Sequence, residues 1–373
     1  MDGVKLAAIV TARPSYSRIR EALFACQHRG VDVTVIACAS ALLERYGKVV
    51  DIIREDGFHV EEVWSTYEGA NRLTSAKETG ALTTELSGVL RALWPDLALV
   101  VADRHEVLGA AQAAAYLHLP LLHIQGGERT GSIDDRVRDS ISHLADYHAV
   151  ATARAKARVY GLTGDLEHIW VTGCPSIDIA RQAIDSPPVT WDEIGGVGAT
   201  FPLDQPFVVF LQHPVTSEDG IPQIEAALRG VSAVGVPVLA CWPGQDAGSE
   251  AMSKVLRENQ YWLHTFRNLP PERFLRLLTQ SACLVGNSSV GIRECSYLGV
   301  PVVNIGSRQR GRERAGNVRD VPECRGDLIA VAVLQQVMAG RYPSSTLYGD
   351  GYAADRIGEV ISGLCVDTCA QRK

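Results

Sequence analysis

The densest run of ionisable side chains is HIQGGERTGSIDDRVRDSISH, residues 123–143. Glu128, Arg129, Asp134, Asp135, Arg136 and Arg138 crowd one loop and the start of the next helix, while Gly126, Gly127 and Gly131 give the backbone conformations closed to other residues. A structural turn seldom needs so many charges, whereas carboxylates beside glycines at a strand end suit close approach to a ligand and proton transfer. GERTG is not a Walker loop, because it lacks G-K-[ST], and no metal-ligand spacing is present. Upstream, VADRHEVLGAA (101–111) puts Asp103, Arg104 and Glu106 at another strand end. An ordinary capped helix start explains that second pattern equally well.

Other segments are suited to anions. TARPSYSR (11–18) sets Arg13 and Ser17 at a helix start, where free backbone N–H groups and the positive end of the helix dipole favour negative charge. In the second half, LQHP (211–214) leaves His213 just beyond an apolar strand, a place where a structural histidine is also common. GNSSVGIRE (286–294) runs from a strand into Ser288 and Ser289, with Glu294 about two turns further, and is a diphosphate-site candidate. NIGSRQRGRERAGNV (304–318) holds Arg308, Arg310, Arg312 and Arg314, either a solvated rim or guanidinium forks for phosphate.

The elements that must position these residues read as βαβ units. KLAAIVT (5–11), DVTVIAC (32–38), DLALVV (96–101), PLLHIQ (120–125) and HIWVTG (168–173) are near-continuous apolar runs, the signature of parallel strands buried on both faces. Helical stretches lie between them, among them SALLERYGKVVDIIRED and AKETGALTTELSGVLRALW. The Pro-, Gly- and Asp-rich stretch at about 181–206 reads as the exit from one domain and the entrance to the next. A second series follows with FVVFLQ (207–212), VPVLACW (236–242), ACLVGN (282–287) and VPVVNI (300–305). The expectation is α/β, two Rossmann-like domains at 1–180 and 181–352, with a helix at about 353–373 packing back onto the first and ligand in the cleft between them.

At 373 residues the chain is long enough for two or three domains. Its 46% hydrophobic content and ordinary 34 Gly and 17 Pro exclude disorder and collagen, and the absence of a run of about 18 apolar residues argues against a membrane span. The N-terminus lacks the basic flank and apolar core of a secretory signal, so the expected location is the cytoplasm. A formal charge of −7 gives no global reason to bind nucleic acid or anionic lipid. The nine cysteines show no C-x-x-C pair and mostly sit in apolar runs, so buried free thiols are expected.

Taken in order, RPSYSR, ADRHEVLGAA, HIQGGERTGSIDDRVRDSI, VTGCPSID, LQHPVTSE, WPGQDAGS, GNSSVGIRE and NIGSRQRGRERAGNV resemble the hydrolysing UDP-N-acetylglucosamine 2-epimerases of sialic acid biosynthesis, including the epimerase half of the bifunctional animal enzyme. The resemblance implies a GT-B fold with UDP in the interdomain cleft, no cofactor or metal, no kinase domain, and a homo-oligomer, dimer or tetramer. It implies UDP contacts at Arg13, Ser17, Arg104, His213, Ser288, Ser289, Glu294 and Arg308. The implied reaction removes the C2 proton while UDP leaves C1 by anti elimination, giving 2-acetamidoglucal. Water then adds at C1, a proton returns to the opposite face of C2, and N-acetylmannosamine is released. Asp103 and Asp134 are expected in acid/base roles, Glu128 in a supporting or substitute one, and His213 against UDP.

Four positions depart from the family pattern. Ala102 stands where G-D-R is usual, Ser15 where relatives commonly place Asp, and Asp139 where His is frequent. Gln125 replaces a carboxylate thought to take part in proton transfer, and a neutral amide accepts no proton at pH 7. Losing a general acid/base typically costs about 10²–10⁴ in rate. Glu128, Asp103 or Asp134 covers the role, or the substrate or reaction has changed, or the glutamine is a deliberate replacement that traps a complex. Two further readings stay open: a non-hydrolysing epimerase, and a nucleotide-sugar-binding or glycosyltransferase-like homologue without epimerase activity.

Overall fold

The computed structural model describes residues 4–67, 71–215, 220–243, 248–267 and 269–364. The chain divides into two compact units, one from residues 1–128, 133–178 and 351–373, the other from 129–132 and 179–350.

Unit 1 carries seven strands: β1 (Lys5–Val10), β2 (Asp32–Cys38), β3 (His59–Val63), β4 (Leu97–Val101), β5 (Leu121–Ile124), β6 (Tyr147–Val150) and β7 (Ile169–Val171). All pair in parallel, in the order β3-β2-β1-β4-β5-β6-β7. Alternate side chains of each strand enter opposite cores, as the two-residue period demands. Leu6, Ala8 and Val10 pack with the helix Arg13–His28, and Ala7 and Ile9 pack with Arg72–Leu93 and His105–Tyr116. The edge strand β3 and the short β6 escape the sequence reading because neither is a continuous apolar run. The stretch 40–56, expected as one helix, is two 3₁₀ turns and the helix Val49–Glu55, interrupted where Gly47 and Lys48 take positive φ.

The C-terminal helix Ala353–Gly363 belongs to this unit. Asp178 accepts from the amides of Ala353 (3.0 Å) and Ala354 (2.7 Å), capping the helix start, and Gly358 lies close against Ala25 of Arg13–His28. The remainder of the expected helical segment, with Cys365 and Cys369, falls outside the described residues.

Unit 2 carries β8 (Val197–Gly198), β9 (Val208–Leu211), β10 (Val238–Cys241), β11 (His264–Phe266), β12 (Cys283–Gly286), β13 (Val302–Ile305) and β14 (Val318–Val321). Their order is β14-β13-β12-β9-β10-β11-β8, parallel except for β8. The stretch read as a linker therefore contributes an antiparallel edge strand, paired with β11.

Both orders contain a point where successive strands are laid down in opposite directions from a central pair: β1 and β4 in unit 1, β9 and β12 in unit 2. The loops after such a pair diverge and leave a crevice at the carboxyl ends of the strands. Thr11–Arg13 and Ala102–Arg104 leave the first pair, and Gln212–His213 and Asn287–Ser289 leave the second. The seven described cysteines are free thiols, five buried and two, Cys241 and Cys324, part-buried. No helix among the described residues is long and apolar enough to cross a membrane.

Candidate functional site

In unit 1 the ends of β4 and β5 turn out of the sheet through left-handed residues, Ala102 at φ 67° and Gln125 at φ 65°. A side-chain-bearing residue costs about 1 kcal/mol or more in that conformation, and glycine does not. This gives a backbone reason for the glycine usual at position 102 in the G-D-R pattern. Both turns are held from below. His123, fully buried, hydrogen-bonds the Ala102 carbonyl through Nε2 (2.8 Å) and Ser142 Oγ through Nδ1 (3.1 Å). A carbonyl can only accept, so Nε2 carries a proton. Burial pushes its pKa down to about 4, against the weaker opposing effect of the Ala102 bond. At Gly127 (φ 77°) an added Cβ would lie 2.3 Å from the Ala155 carbonyl, so this turn of the GGE loop admits only glycine.

Arg138 gathers what those turns present. Its guanidinium, 1% exposed, donates to Asp103, to Asp135 Oδ1 (3.0 Å) and to the Glu128 carbonyl (2.6 Å). Asp103 at the end of β4 and Glu128 in the loop after β5 are thus joined by one side chain of the helix Asp134–Leu144. Glu128 itself is 7% exposed. Asp134 opens that helix half-buried, and it is the neighbouring Asp135 that binds Arg138.

Gln125 is 2% exposed and donates from Nε2 to Cys174 Sγ (2.9 Å), which in turn contacts Ser176 Oγ (2.9 Å). The position supplies an N–H donor to sulfur, a bond that an ionised carboxylate cannot make. Asp139 forms an ion pair with Arg158 of the helix Ala153–Thr163 and so ties two helices together. Ser15 is buried in the first turn of Arg13–His28.

The anion-binding candidates of unit 1 sort differently. The helix Arg13–His28 begins without a side-chain cap, which leaves its first amides to other acceptors. Arg13 reaches across the Gly47 turn, and Ser17 Oγ donates to the Pro14 carbonyl (3.2 Å). Arg104 forks onto Glu106, with Nε at 3.2 Å and Nη2 at 2.9 Å. Burial would push the Glu106 carboxyl up, but the charges of Arg104 and His105, with hydrogen bonds from the Arg104 side chain and from its own backbone amide, outweigh it and hold the group below its ordinary value. Glu78, His105 and Glu106 are close enough to suggest a cation site. The Arg104 fork already occupies both Glu106 oxygens.

In unit 2 a residue without an assigned role in the sequence reading organises the crevice. Asn287, 1% exposed, accepts the His213 amide at Oδ1 (2.7 Å) and donates from Nδ2 to the His213 carbonyl (2.8 Å), clasping the ends of β9 and β12. Its own carbonyl accepts from Arg308 (3.2 Å) and Gln309 (2.9 Å). Ser288 caps the short turn Ser289–Ile292, and Ser289 Oγ accepts from Arg293 (3.0 Å). Glu294 is 7% exposed; its Oε2 accepts no hydrogen bond and stands 3.9 Å from Arg293 Nε. Of the four loop arginines, Arg314 is spent on Asp320 and the carbonyls of Gln309 and Arg312, Arg310 is exposed, Arg312 is part-buried, and Arg308 bridges to the Asn287 turn.

The profile of a family described as UDP-N-acetylglucosamine 2-epimerase matches residues 25–362. A Legionella pneumophila protein named UDP-N,N'-diacetylbacillosamine 2-epimerase (hydrolyzing) is 30% identical over 96% of this chain and 96% of its own. A Neisseria meningitidis UDP-N-acetylglucosamine 2-epimerase is 25% identical over 96% of this chain and 95% of its own. Among solved structures, UDP-GlcNAc 2-epimerase from Neisseria meningitidis bound to UDP-GlcNAc aligns with a TM-score of 0.78 at 18% identity, over 96% of this chain and 99% of that one. The Methanocaldococcus jannaschii UDP-GlcNAc 2-epimerase in complex with UDP-GlcNAc and UDP aligns at 0.79 with 17% identity, over the same shares. At these identities the likeness establishes the fold, the GT-B class expected from the sequence.

Proposed function

The chain belongs to the UDP-N-acetylglucosamine 2-epimerase family, and from that premise we propose that it is a hydrolysing UDP-sugar 2-epimerase that converts UDP-N-acetylglucosamine to UDP and free N-acetylmannosamine. The observation that carries the reading is the Asp103–Arg138–Glu128 assembly, in which one buried guanidinium holds the Asp103 carboxylate and the main-chain carbonyl of Glu128 at the strand ends of unit 1. In the first half-reaction a carboxylate takes the C2 proton while the C1–O bond to UDP breaks and the glucal double bond forms. In the second, water adds its oxygen to C1 and a proton returns to C2 on the opposite face. Asp103 and Asp134 take the two proton-transfer roles, and Glu128 covers the one vacated at Gln125. The C2–H is weakly acidic, so stabilisation of the departing diphosphate shares the work with the base.

Unit 2 supplies the nucleotide contacts in this reading: Ser288, Ser289 and Arg308 at the diphosphate, Glu294 at the ribose hydroxyls, and His213 beside them. The Glu294 oxygen without a hydrogen-bond donor supports its assignment, because a buried acceptor left unsatisfied is costly until a hydroxyl meets it. Arg13, Ser17 and Arg104 complete the UDP contacts, the last held in its fork by Glu106. No metal or other cofactor enters the reaction, and the assembly is a homo-oligomer.

A second substrate, UDP-N,N'-diacetylbacillosamine, is favoured by the name of the 30% identical relative. Incubation of the protein with each UDP-sugar in D₂O decides between them, with mass spectrometry following UDP, free sugar and deuterium at C2. The expected result is UDP release, a free 2-epimeric sugar and one deuterium at C2 from UDP-N-acetylglucosamine. A UDP-linked product would indicate the non-hydrolysing reaction. Silence on both sugars, from the native chain and from Gln125→Glu alike, removes the epimerase reading.

A further inference from the structure

We propose that Arg138 is a positioning residue for proton transfer: it aims Asp103 and the Glu128 loop at the substrate and supplies the counter-charge to the Asp103 carboxylate. This rests on the reading above, in which Asp103 acts on the sugar. The geometry is specific. A guanidinium that is 1% exposed has left water almost completely, which is tolerable only where anionic or carbonyl partners replace its hydration. Arg138 finds them on three separate pieces of chain: Asp103 just beyond β4, the Glu128 carbonyl in the loop after β5, and Asp135 on its own helix.

A structural tie between helix and sheet would need one such bond. Here one planar fork spans both loops that emerge beside the proposed chemistry, and it fixes their spacing through rigid N–H directions. A lysine, offering a point charge, cannot reproduce that fork. Among the described residues, the ionisable groups near Asp103 include Arg138, in contact with it, Asp135 beside Arg138 on the helix Asp134–Leu144, and Arg104, His105 and Glu106 following it in the chain. His123, beneath the Ala102 carbonyl, is kept neutral by burial. Arg104 is forked onto Glu106, while Arg138 is in direct contact with Asp103.

Three variants test this. R138K keeps the charge and loses the fork; its kcat is expected to fall about 10- to 100-fold with KM within about threefold, since a misplacement of about 1 Å can cost that much. R138M removes the cation, so the Asp103 carboxyl rises and the acid limb of the kcat/KM profile moves upward by about one pH unit. In a D103N background, adding R138K is expected to cost less than about threefold, read by deuterium entry at C2, because both changes act through one group. An R138K rate equal to the parent, an acid limb that stays in place, or fully additive losses would overturn the proposal. Should R138M fail to fold, R138K still reads the split between kcat and KM. A parent enzyme silent on both UDP-sugars removes the functional reading and this inference with it, whereas an active parent indifferent to R138K removes the inference alone.

Discussion

The two crevices arrange their polar groups differently. In unit 1 charged groups are paired with one another: Asp103 and Asp135 are held by Arg138, Glu106 by Arg104, and Asp139 by Arg158 through one oxygen. In unit 2 the strand ends are clasped by Asn287, and beside them Glu294 Oε2 and both side-chain polar atoms of Gln212 are buried without partners among the described residues; unit 1 keeps such atoms too, Asp139 Oδ1 and His148 Nδ1 among them, but at its strand ends the charged groups are paired. Internal pairing serves groups whose orientation and protonation must be set before a substrate arrives. Unsatisfied buried acceptors and donors suit groups that gain their partners from a ligand. On the proposed reading, unit 1 is the preorganised reaction centre and unit 2 the binding surface.

The strongest way to break that contrast is Asp103→Asn. It is expected to lower kcat by about 10²–10⁴ while UDP affinity, measured by calorimetry, stays within about threefold. Comparable losses in both would mean that the two crevices do not divide the work. The next effect is on stability and separates the units by pH. His123 and His148 are buried in unit 1, and burial brings each to a pKa of about 4. The unfolded chain binds protons to them from about pH 6.5, so between pH 6.5 and 4 the unfolded state holds more protons and stability falls as pH falls. Each histidine contributes up to about 3 kcal/mol across that window. Hydrogen exchange should therefore show unit 1 losing protection before unit 2 on acidification, and simultaneous loss would contradict it.

Glu294→Gln sharpens the other side. Removing the charge that is proposed to receive ribose hydroxyls should weaken UDP binding about tenfold, worth about 1.4 kcal/mol, with Tm unchanged or higher because a poorly satisfied buried carboxylate is lost. A drop in Tm with affinity intact would make Glu294 a structural residue. The smallest expected effect is at Asp139→Asn. Its partly exposed pair with Arg158 predicts less than about 1 kcal/mol of stability and a rate within about twofold. A large rate loss would bring position 139 into the chemistry after all.

The comparison also separates what the residues announced from what they concealed. Asp103, Glu128 and Glu294 were legible because carboxylates follow apolar runs, and the strands behind them were legible because buried parallel strands are continuously apolar. Arg138 was visible only as one of several charges in a crowded stretch. Nothing in its spacing distinguishes it from Arg129 or Arg136, since its partners at 103 and 128 lie on other elements. Asn287 hid for a related reason: a Gly-Asn step reads as a turn, and the strand end it clasps is 74 residues away. The arginine-rich loop at 304–318 looked uniform in sequence, and folding spent Arg314 on Asp320 while leaving Arg308 at the Asn287 turn.

By itself the sequence determined the fold class, the family and the inventory of groups able to move protons or hold a diphosphate, because periodicity and ordered motifs are local properties of the chain. Tertiary structure decided which of those groups face one another. Only the packed sheet brings Ala102 and Gln125 into left-handed turns above a neutral histidine, buries Arg138 among three acceptors, and sets Gln125 against Cys174 as an N–H donor. Charge state and orientation depend on burial and on partners distant in the chain, and the sheet alone supplies both.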